Sequence, residues 1–339
     1  MSQMDRRAFL RRSVIAAGAV GVAAIVGEDV LRRRHAEQAF WNADAFPPPG
    51  EAHVAVLRAT SYDRGLESIV ADGMRAIGAD VRGARVVLKP NLIEYDAATA
   101  INTDPRLIAA TVLALRRMGA ADVIVGEGPG HRRDTGYVVT RSGLLEALGA
   151  VDASFVDLNT DAVRRQRLQS SYTQLRDLWL PTTIADADVV ISMPKMKTHH
   201  WAGLTLSLKN CFGCVPGRIY GWPKNALHWA GLEQSILDVA AAVRPDYAIV
   251  DGIVGMEGNG PISGTPVQAN VLVFGDDPVA TDTIGARLMG FDPAKVAYIA
   301  EAGRFLGQGD VDHITLTGED VDAATKDFAV LPQFRSMKA

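Results

Sequence analysis

The sequence is poor in cysteine, because its 339 residues contain only Cys211 and Cys214. Two cysteines cannot form a disulfide scaffold or supply the four thiolates of an iron–sulfur cluster, so no such cluster is expected from this chain. A broad excess of positive charge is also missing, since 35 Lys and Arg stand against 39 Asp and Glu. The net charge of −4 argues against a general nucleic-acid-binding protein. The chain is nevertheless long enough to bury a large core without disulfides or metals.

Several common catalytic motifs are absent as well. The sequence has no Gly-x-x-x-x-Gly-Lys-Ser/Thr nucleotide loop and no Gly-x-Ser-x-Gly serine-hydrolase motif. A glycine-rich segment at residues 126–130 follows an apolar run, but it lacks the Gly-x-Gly-x-x-Gly spacing of dinucleotide-binding folds. These absences leave the reaction class open.

The N-terminus has the pattern of an export signal. Arg6-Arg7, followed by Phe9-Leu10 and an uncharged run from Ser13 to Gly27, resembles a twin-arginine signal. We therefore expect the twin-arginine export machinery as a partner and a periplasmic or other extracytoplasmic location. Because charged residues follow the run directly, an uncleaved membrane tether is one alternative, and a buried N-terminal helix is another. Residues 1–27 are thus interpreted as a signal or tether, 28–50 as a connector, and 51–335 as one domain.

The rest of the chain alternates short apolar runs with helical patterns. The predicted strands are His53–Ala59, Arg85–Lys89, Asp122–Glu127, Ser154–Asp157, Asp188–Ser192, Tyr247–Asp251, Val267–Phe274 and His313–Leu316. The predicted helices are Gly65–Ile77, Pro105–Met118, Tyr137–Leu148, Leu232–Val243, Pro278–Met289 and Pro293–Glu301. This alternation predicts a doubly wound α/β fold with a mostly parallel sheet and helices on both faces. Residues 160–183 interrupt it and predict a small inserted hairpin or arm.

Polar and glycine-rich loops follow four of the predicted strands. In doubly wound sheets, ligands bind beyond the carboxyl ends of the strands, so these loops are predicted to outline one site. The four segments are Lys89-Pro90-Asn91, Gly126–Gly130, Pro194–His200 and Asp251–Pro261.

One of these loops opens a long segment without acidic residues. No Asp or Glu occurs from Val189 to Leu232, although the segment contains Lys195, Lys197 and Lys209. Lysines without local carboxylates create a positive potential that suits phosphate or carboxylate groups. A solvated basic face, or pairing with acids from elsewhere in the fold, is the alternative. We expect the segment to bind a small anionic molecule.

Histidines in the same segment are candidates for proton transfer or metal binding. His199 is preferred over His200 because Lys-x-Lys-x-His would place three side chains on one face of an extended chain. A metal could use His199, His228 and Asp251, although their spacing matches no recognised ligand pattern. Cys211 and Cys214 form a C-x-x-C pair that is interpreted equally well as a disulfide or as two buried thiols.

Taken together, these motifs resemble the "domain of unknown function 362" family over residues 53 to about 290. The resemblance rests on Lys89-Pro90-Asn91-Leu92, Pro194–His199, Leu208-Lys209-Asn210, Phe212-Gly213, Asp251-Gly252-Ile253, Met256–Pro261 and Asp277–Asp282. It implies a single site composed of Lys89, Asn91, Lys195, Lys197, His199, Lys209, Asn210 and Glu257. Many relatives carry ferredoxin-type cysteine motifs, which implies redox chemistry. This chain has none, so any electron transfer would require a separate redox partner.

The residues support two main hypotheses. In the first, an exported enzyme of redox or group-transfer chemistry binds a small anion through Lys195, Lys197 and Lys209. Lys89, Asn91 and Asn210 would help to bind and orient that anion. His199 and Glu257 would then move protons, with Lys209 as a further catalytic group. In the second, the protein is a non-catalytic extracytoplasmic binding protein for a phosphorylated or carboxylated ligand. A histidine-based metalloprotein is the remaining alternative.

Overall fold

The structure, a computed structural model, describes residues 39–130 and 134–339. Residues 43–339 form one compact unit. Within the described residues, no helix combines the length and the apolar character needed to cross a bilayer. The predicted signal or tether at residues 1–27 lies outside them and stays a prediction.

A ten-stranded sheet forms the centre of this unit. The strands of the chain are β1 (Ala52–Arg58), β2 (Arg85–Pro90), β3 (Asp122–Glu127), β4 (Ser154–Asp157), β5 (Val163–Arg167), β6 (Asp177–Pro181), β7 (Val189–Met193), β8 (Lys195–His199), β9 (Gly203–Thr205), β10 (Tyr247–Glu257), β11 (Thr265–Gly275) and β12 (Ile314–Gly318). The main order is β12-β1-β11-β10-β7-β2-β3-β4, with β8 on β10 and β9 on β8. Along this path only β11 runs antiparallel to its neighbours. The sheet is therefore mostly parallel, as predicted.

Helices cover both faces of the sheet. They are α1 (Leu66–Ala76), α2 (Pro105–Arg117), α3 (Thr135–Arg141), α4 (Leu144–Ala150), α5 (Thr182–Ala185), α6 (Ser207–Asn210), α7 (Gly217–Tyr220), α8 (Asn225–Trp229), α9 (Leu232–Val243), α10 (Pro278–Leu288), α11 (Ala297–Ala302) and α12 (Val321–Ala324). Helices α1 to α4 share one apolar core with Val86 and Leu88, on one side of β2. Helix α10 packs on β1, β10 and β11, outside that core. The doubly wound α/β prediction is confirmed.

Three local predictions were wrong. The predicted helix at residues 137–148 is two helices, because Gly143 adopts a left-handed conformation with φ of 79° between them. The predicted helix at residues 293–301 is a 3₁₀ turn at Pro293–Lys295 followed by α11. Lys195–His199 was assigned to a loop, yet it pairs with β10 and β9 as strand β8.

The predicted insertion is a two-stranded hairpin of β5 and β6. A single buried carboxylate, Asp238 of α9, ties its connecting loop to the main unit. Asp238 accepts hydrogen bonds from the hydroxyl groups of Ser170 and Thr173, at 2.6 and 2.7 Å. It also accepts from the backbone N–H groups of Tyr172 and Thr173, at 3.2 and 2.8 Å. Because each of these donors would otherwise lose its partner, Asp238 fixes the position of the hairpin.

We predict that Asp238→Ala lowers the free energy of unfolding by about 3 kcal/mol, because hydrogen bonds to a buried charged group are worth about 1.5–3 kcal/mol each and are only partly replaced by water. Urea unfolding measures this as a lower midpoint. The matched control is Asp322→Ala, since Asp322 is 85% exposed in its ion pair with Arg287. The control should change stability by less than about 1 kcal/mol. Equal effects of the two substitutions would contradict the anchoring role.

Candidate functional site

The sheet topology creates a crevice between β2 and β7. From β2 the chain proceeds outwards to β3 and β4, and then returns to place β7 on the other side of β2. At such a switch point, the loops that follow the two strands diverge and leave room for a ligand. Here the cavity has a volume of about 440 Å³. It is lined by residues from all four predicted loops, including Asn91, Glu127, Gly128, His199, His200 and Pro261.

A buried ion pair lies at the ends of β2 and β3. The ammonium group of Lys89 contacts Glu127 Oε2, and both side chains are at most 2% exposed. The same ammonium group donates to Pro90 O at 2.8 Å and to Asn210 Oδ1 at 2.9 Å. Burial raises the pKa of Glu127, while the charges of Lys89 and Lys224 oppose that shift. Glu127 is a site residue that the sequence analysis did not include. Its position between two glycines at the end of a predicted strand could have identified it.

Two asparagines connect this pair to the cavity. The amide nitrogen of Asn210 donates to Lys89 O at 3.0 Å and to Ser192 Oγ at 3.1 Å. Asn91 Nδ2 donates to Asn210 Oδ1 at 3.3 Å. Asn91 Oδ1 is buried and has no donor among the residues that the structure describes. Asn210 therefore holds Lys89, whereas Asn91 keeps an acceptor available to a ligand.

Lys209 places a cation in the cavity wall. Its side chain is 9% exposed, and its ammonium group lies 4.6 Å from the centre of the Phe212 ring. Within residues 39–130 and 134–339, no carboxylate or carbonyl accepts a hydrogen bond from it. Burial, followed by the charge of Lys89, lowers the pKa of Lys209 to about 8. An anion in the cavity would supply the missing partner.

Lys209 lies on the short helix α6, and a buried carboxylate of α10 binds the N-terminus of that helix. Asp282 of α10 is fully buried and accepts hydrogen bonds from the backbone N–H groups of Ser207 and Leu208, at 2.7 and 2.9 Å. Asp282 thereby satisfies donors at the start of α6 that no intrahelical carbonyl can reach. Burial raises the pKa of Asp282 to about 8.

The backbone fixes the tautomer of His199. Its Nδ1 accepts from the N–H groups of Trp201 and Ala202, at 3.0 and 3.2 Å. A nitrogen that accepts two hydrogen bonds carries no proton, so the neutral ring is protonated on Nε2. Burial, followed by the charge of Lys209, lowers the pKa of His199 well below its ordinary value. The neutral ring of His199 can therefore donate a hydrogen bond through its Nε2–H, and its role in proton transfer stays a prediction.

Two other histidines of the cavity have the opposite tautomer. His200 Nδ1 lies 2.8 Å from Gly260 O, and His228 Nδ1 lies 3.1 Å from Lys224 O. Because carbonyl oxygens only accept, each Nδ1 carries the proton and each Nε2 keeps a lone pair in the neutral ring. Burial lowers the pKa of His228, so that this ring is neutral near pH 7. His228 Nε2 can therefore accept a proton from a ligand.

Lys224 also lines the cavity, although no role was predicted for it. Its ammonium group donates to Gly128 O and Phe212 O, both at 2.8 Å. Burial lowers its pKa to about 7, against the attraction of Glu127. Lys224 thus ties the glycine-rich loop after β3 to the segment that follows α6.

Six predicted site residues are absent from the cavity lining: Lys89, Asn210, Lys195, Lys197, Asp251 and Glu257. Lys89 and Asn210 contact the lining residues Glu127 and Asn91, whereas the other four lie elsewhere. Lys195 forms a buried ion pair with Asp251 at 2.6 Å, which Tyr62 completes with a hydrogen bond to Asp251 at 2.6 Å. Lys197 donates to the backbone oxygen of Ile101 at 2.7 Å and is fully buried. Glu257 accepts from the backbone N–H of Ala329 at 2.8 Å, outside the cavity lining. Strand β8 does extend the Lys-x-Lys-x-His segment, but only His199 of the three reaches the cavity.

The described residues include neither a set of metal ligands nor a disulfide. No group of three His, Cys, Asp or Glu side chains there could hold a metal ion, and Asp251 is occupied by Lys195. His199, His228 and Asp251 therefore do not converge as a ligand set. Cys211 and Cys214 are free, buried thiols, and burial raises the pKa of Cys214 to about 12.

Comparison with known proteins gives three similarities. The family described as "Domain of unknown function (DUF362)" matches residues 86–287. The thylakoid-associated protein sll1697 of Synechocystis sp. is 32% identical over 262 residues, which cover 74% of this chain and 78% of that protein. The lactate racemase apoprotein of Thermoanaerobacterium thermosaccharolyticum matches 74% of this chain at 14% identity, with a TM-score of 0.46. The chain spans 58% of the length of that racemase chain.

We predict that Gly213→Ala destabilises the protein by about 3 kcal/mol, because a methyl group at this position would overlap Glu127 Oε1 and the end of the Lys89 side chain. Separating a buried ion pair is strongly unfavourable. The matched control is Gly149→Ala in α4, where a methyl group would meet no atom within 4 Å. This control should be neutral or slightly stabilising. Urea unfolding compares the two, and a neutral Gly213→Ala would contradict the close packing on the ion pair.

Proposed function

This chain belongs to the DUF362 family, and we propose that it is an enzyme whose substrate is a small molecule with an anionic group. The anionic group would bind Lys209 Nζ and the Nε2–H of His199, and His228 Nε2 would accept a proton during the reaction. Asn91 Oδ1 would accept a hydrogen bond from the substrate and so help to orient it. The prediction of an anion site in the acid-free segment is kept, with Lys195, Lys197 and Glu257 removed from direct contact.

The observation that carries this proposal is the ammonium group of Lys209 in the cavity wall, which lies over the Phe212 ring but has no hydrogen-bond acceptor among the described residues. A buried charge is costly unless it is paired, so such a group is retained where a partner of opposite charge binds. The charge of Lys89 is paired with Glu127, and the ammonium group of Lys224 donates hydrogen bonds to two backbone carbonyl oxygens. Among the lysines described in the cavity wall, Lys209 is thus the one with capacity to bind an anion.

The histidines favour catalysis over binding alone. A neutral donor such as His199 can stabilise negative charge that develops on an oxygen atom, as an oxyanion hole does. His228 offers a lone pair in the same cavity, and its lowered pKa keeps that nitrogen available near pH 7. A pure binding protein needs the cations but has no use for a proton acceptor beside them. Binding without turnover of any substrate would support the alternative of a binding protein.

We predict that Lys209→Met weakens the binding of inorganic phosphate and sulfate by about 10–100-fold, because a charge-assisted hydrogen bond is worth about 1.5–3 kcal/mol. Isothermal titration calorimetry measures the dissociation constants. The substitution removes an unpaired buried charge, so the melting temperature should not fall. Lys326→Met, at an exposed lysine outside the cavity, is the matched control. Unchanged affinity in Lys209→Met would overturn the proposed site.

We also predict that sulfate binding weakens as the pH rises through about 8. Sulfate keeps its charge over this range, and a bound anion favours the ammonium form of Lys209. The contribution of Lys209 is therefore complete well below its pKa of about 8 and falls by up to tenfold per pH unit above it. Loss of the proton from Lys224, whose pKa is about 7, acts in the same direction. Calorimetry from pH 6.5 to 9.5 tests this, and a constant affinity in the wild type would contradict it. Lys209→Met should lose most of the pH dependence.

A further inference from the structure

The cavity wall combines polar and apolar side chains. Lys209, His199 and Asn91 contribute polar groups, and apolar or aromatic groups come from Ile93, Trp201, Phe212, Pro223, Pro261 and Ile262. A volume of about 440 Å³ lies in the range of pockets that bury whole organic ligands. An anionic group would occupy only part of this space, so apolar surface is left for the body of the ligand.

Rings in this wall form a continuous series. His199 and His200 are stacked, with centroids 5.0 Å apart and an interplanar angle of 16°. Trp201 packs edge-on against His200 at 4.5 Å and against His228 at 5.4 Å. His228 in turn packs edge-on against Phe212 at 5.8 Å. Each ring is thus held at a defined angle by its neighbours, and a ligand would meet a rigid aromatic surface.

Trp201 stands out within this series because it lines the cavity and is nevertheless 60% exposed. Two neighbouring rings fix its orientation through their edges, while much of the indole surface is left uncovered by the protein. Large apolar surface gains free energy when a partner removes it from water. A flat ligand in the cavity can cover the indole without moving the backbone.

Building on the proposed function, we propose that the substrate is an aromatic anion, a planar ring that carries a phosphate or carboxylate group. Lys209 and His199 would bind the anionic group, and the ring would pack against Trp201 and Phe212. Trp201 would thus determine specificity for the body of the substrate, while Lys209 determines specificity for its charge. The two contributions can be measured separately because they come from different side chains.

The test compares ligands that share one anionic group. Calorimetry would measure the binding of inorganic phosphate, cyclohexyl phosphate and phenyl phosphate to the wild-type protein. We expect phenyl phosphate to bind about tenfold or more tightly than inorganic phosphate, and more tightly than cyclohexyl phosphate, which has a similar size but no flat face. A parallel series of acetate, cyclohexanecarboxylate and benzoate distinguishes a carboxylate from a phosphate as the preferred anionic group.

Substitutions then assign the effect to one ring. Trp201→Ala should reduce the preference for phenyl phosphate over inorganic phosphate to about twofold or less, while leaving inorganic phosphate binding within about twofold of wild type. Trp201→Phe should restore much of the preference. Trp179→Ala is the matched control, since Trp179 is 41% exposed on β6 and does not line the cavity. It should leave every affinity unchanged.

The outcomes separate this inference from the proposed function. Equal binding of phenyl phosphate and inorganic phosphate, or equal binding of phenyl and cyclohexyl phosphate, would overturn the aromatic substrate while leaving the anion site intact. A preference that survives Trp201→Ala would overturn the assignment to Trp201. If no anion binds, or if Lys209→Met has no effect on any of them, the proposed function itself fails.

Discussion

The buried ion pair between Lys89 and Glu127 is the interaction on which the site depends. It lies where β2 and β3 end beside the switch point, and it is removed from water almost completely. The ammonium group of Lys89 also donates a hydrogen bond to Asn210 Oδ1. Gly213 packs so closely against the ion pair that a methyl group on its Cα would not fit. Because such a pair is stable only when its geometry is maintained, the loop after β3 and the segment after α6 are held together, and the cavity wall is built on them.

Charge compensation distinguishes Lys209 from the other lysines of the basic segment. Lys195 reaches Asp251 on β10, and Lys197 reaches the backbone oxygen of Ile101, so both charges are satisfied within the protein. Lys209 has no hydrogen-bond acceptor among the residues that the structure describes, and burial, followed by the charge of Lys89, lowers its pKa to about 8. An ammonium group that is buried without an acceptor is unfavourable in the empty protein. Binding of an anion reverses that balance, which is why we assign the binding role to Lys209.

The sequence predicted the fold better than it predicted the site. Apolar runs of four to eight residues located the central strands, because parallel strands that are covered on both faces must be apolar throughout. The acid-free segment could not show which of its lysines have partners, since Asp251 and Ile101 O, which bind Lys195 and Lys197, come from parts of the chain distant in the sequence. The family resemblance implies one site for Glu257 and His199, which belong to two separate motifs. In the structure β10 continues to Glu257 and carries it away from the cavity to Ala329.

Protonation of the histidines depends on backbone positions that no sequence pattern reveals. His199 and His200 are adjacent and nearly parallel, yet their Nδ1 atoms meet opposite partners, backbone N–H groups in one case and Gly260 O in the other. The first ring is therefore a donor toward the cavity and the second an acceptor. His199 cannot accept a proton on Nδ1 without breaking two hydrogen bonds, and its Nε2 already carries a proton, so the proposed reaction would need a different ring as the proton acceptor. His200 and His228 both keep a lone pair on Nε2, because the Nδ1 of each donates to a backbone oxygen. The proposal assigns the proton to His228 because burial lowers the pKa of this ring and so favours its neutral form.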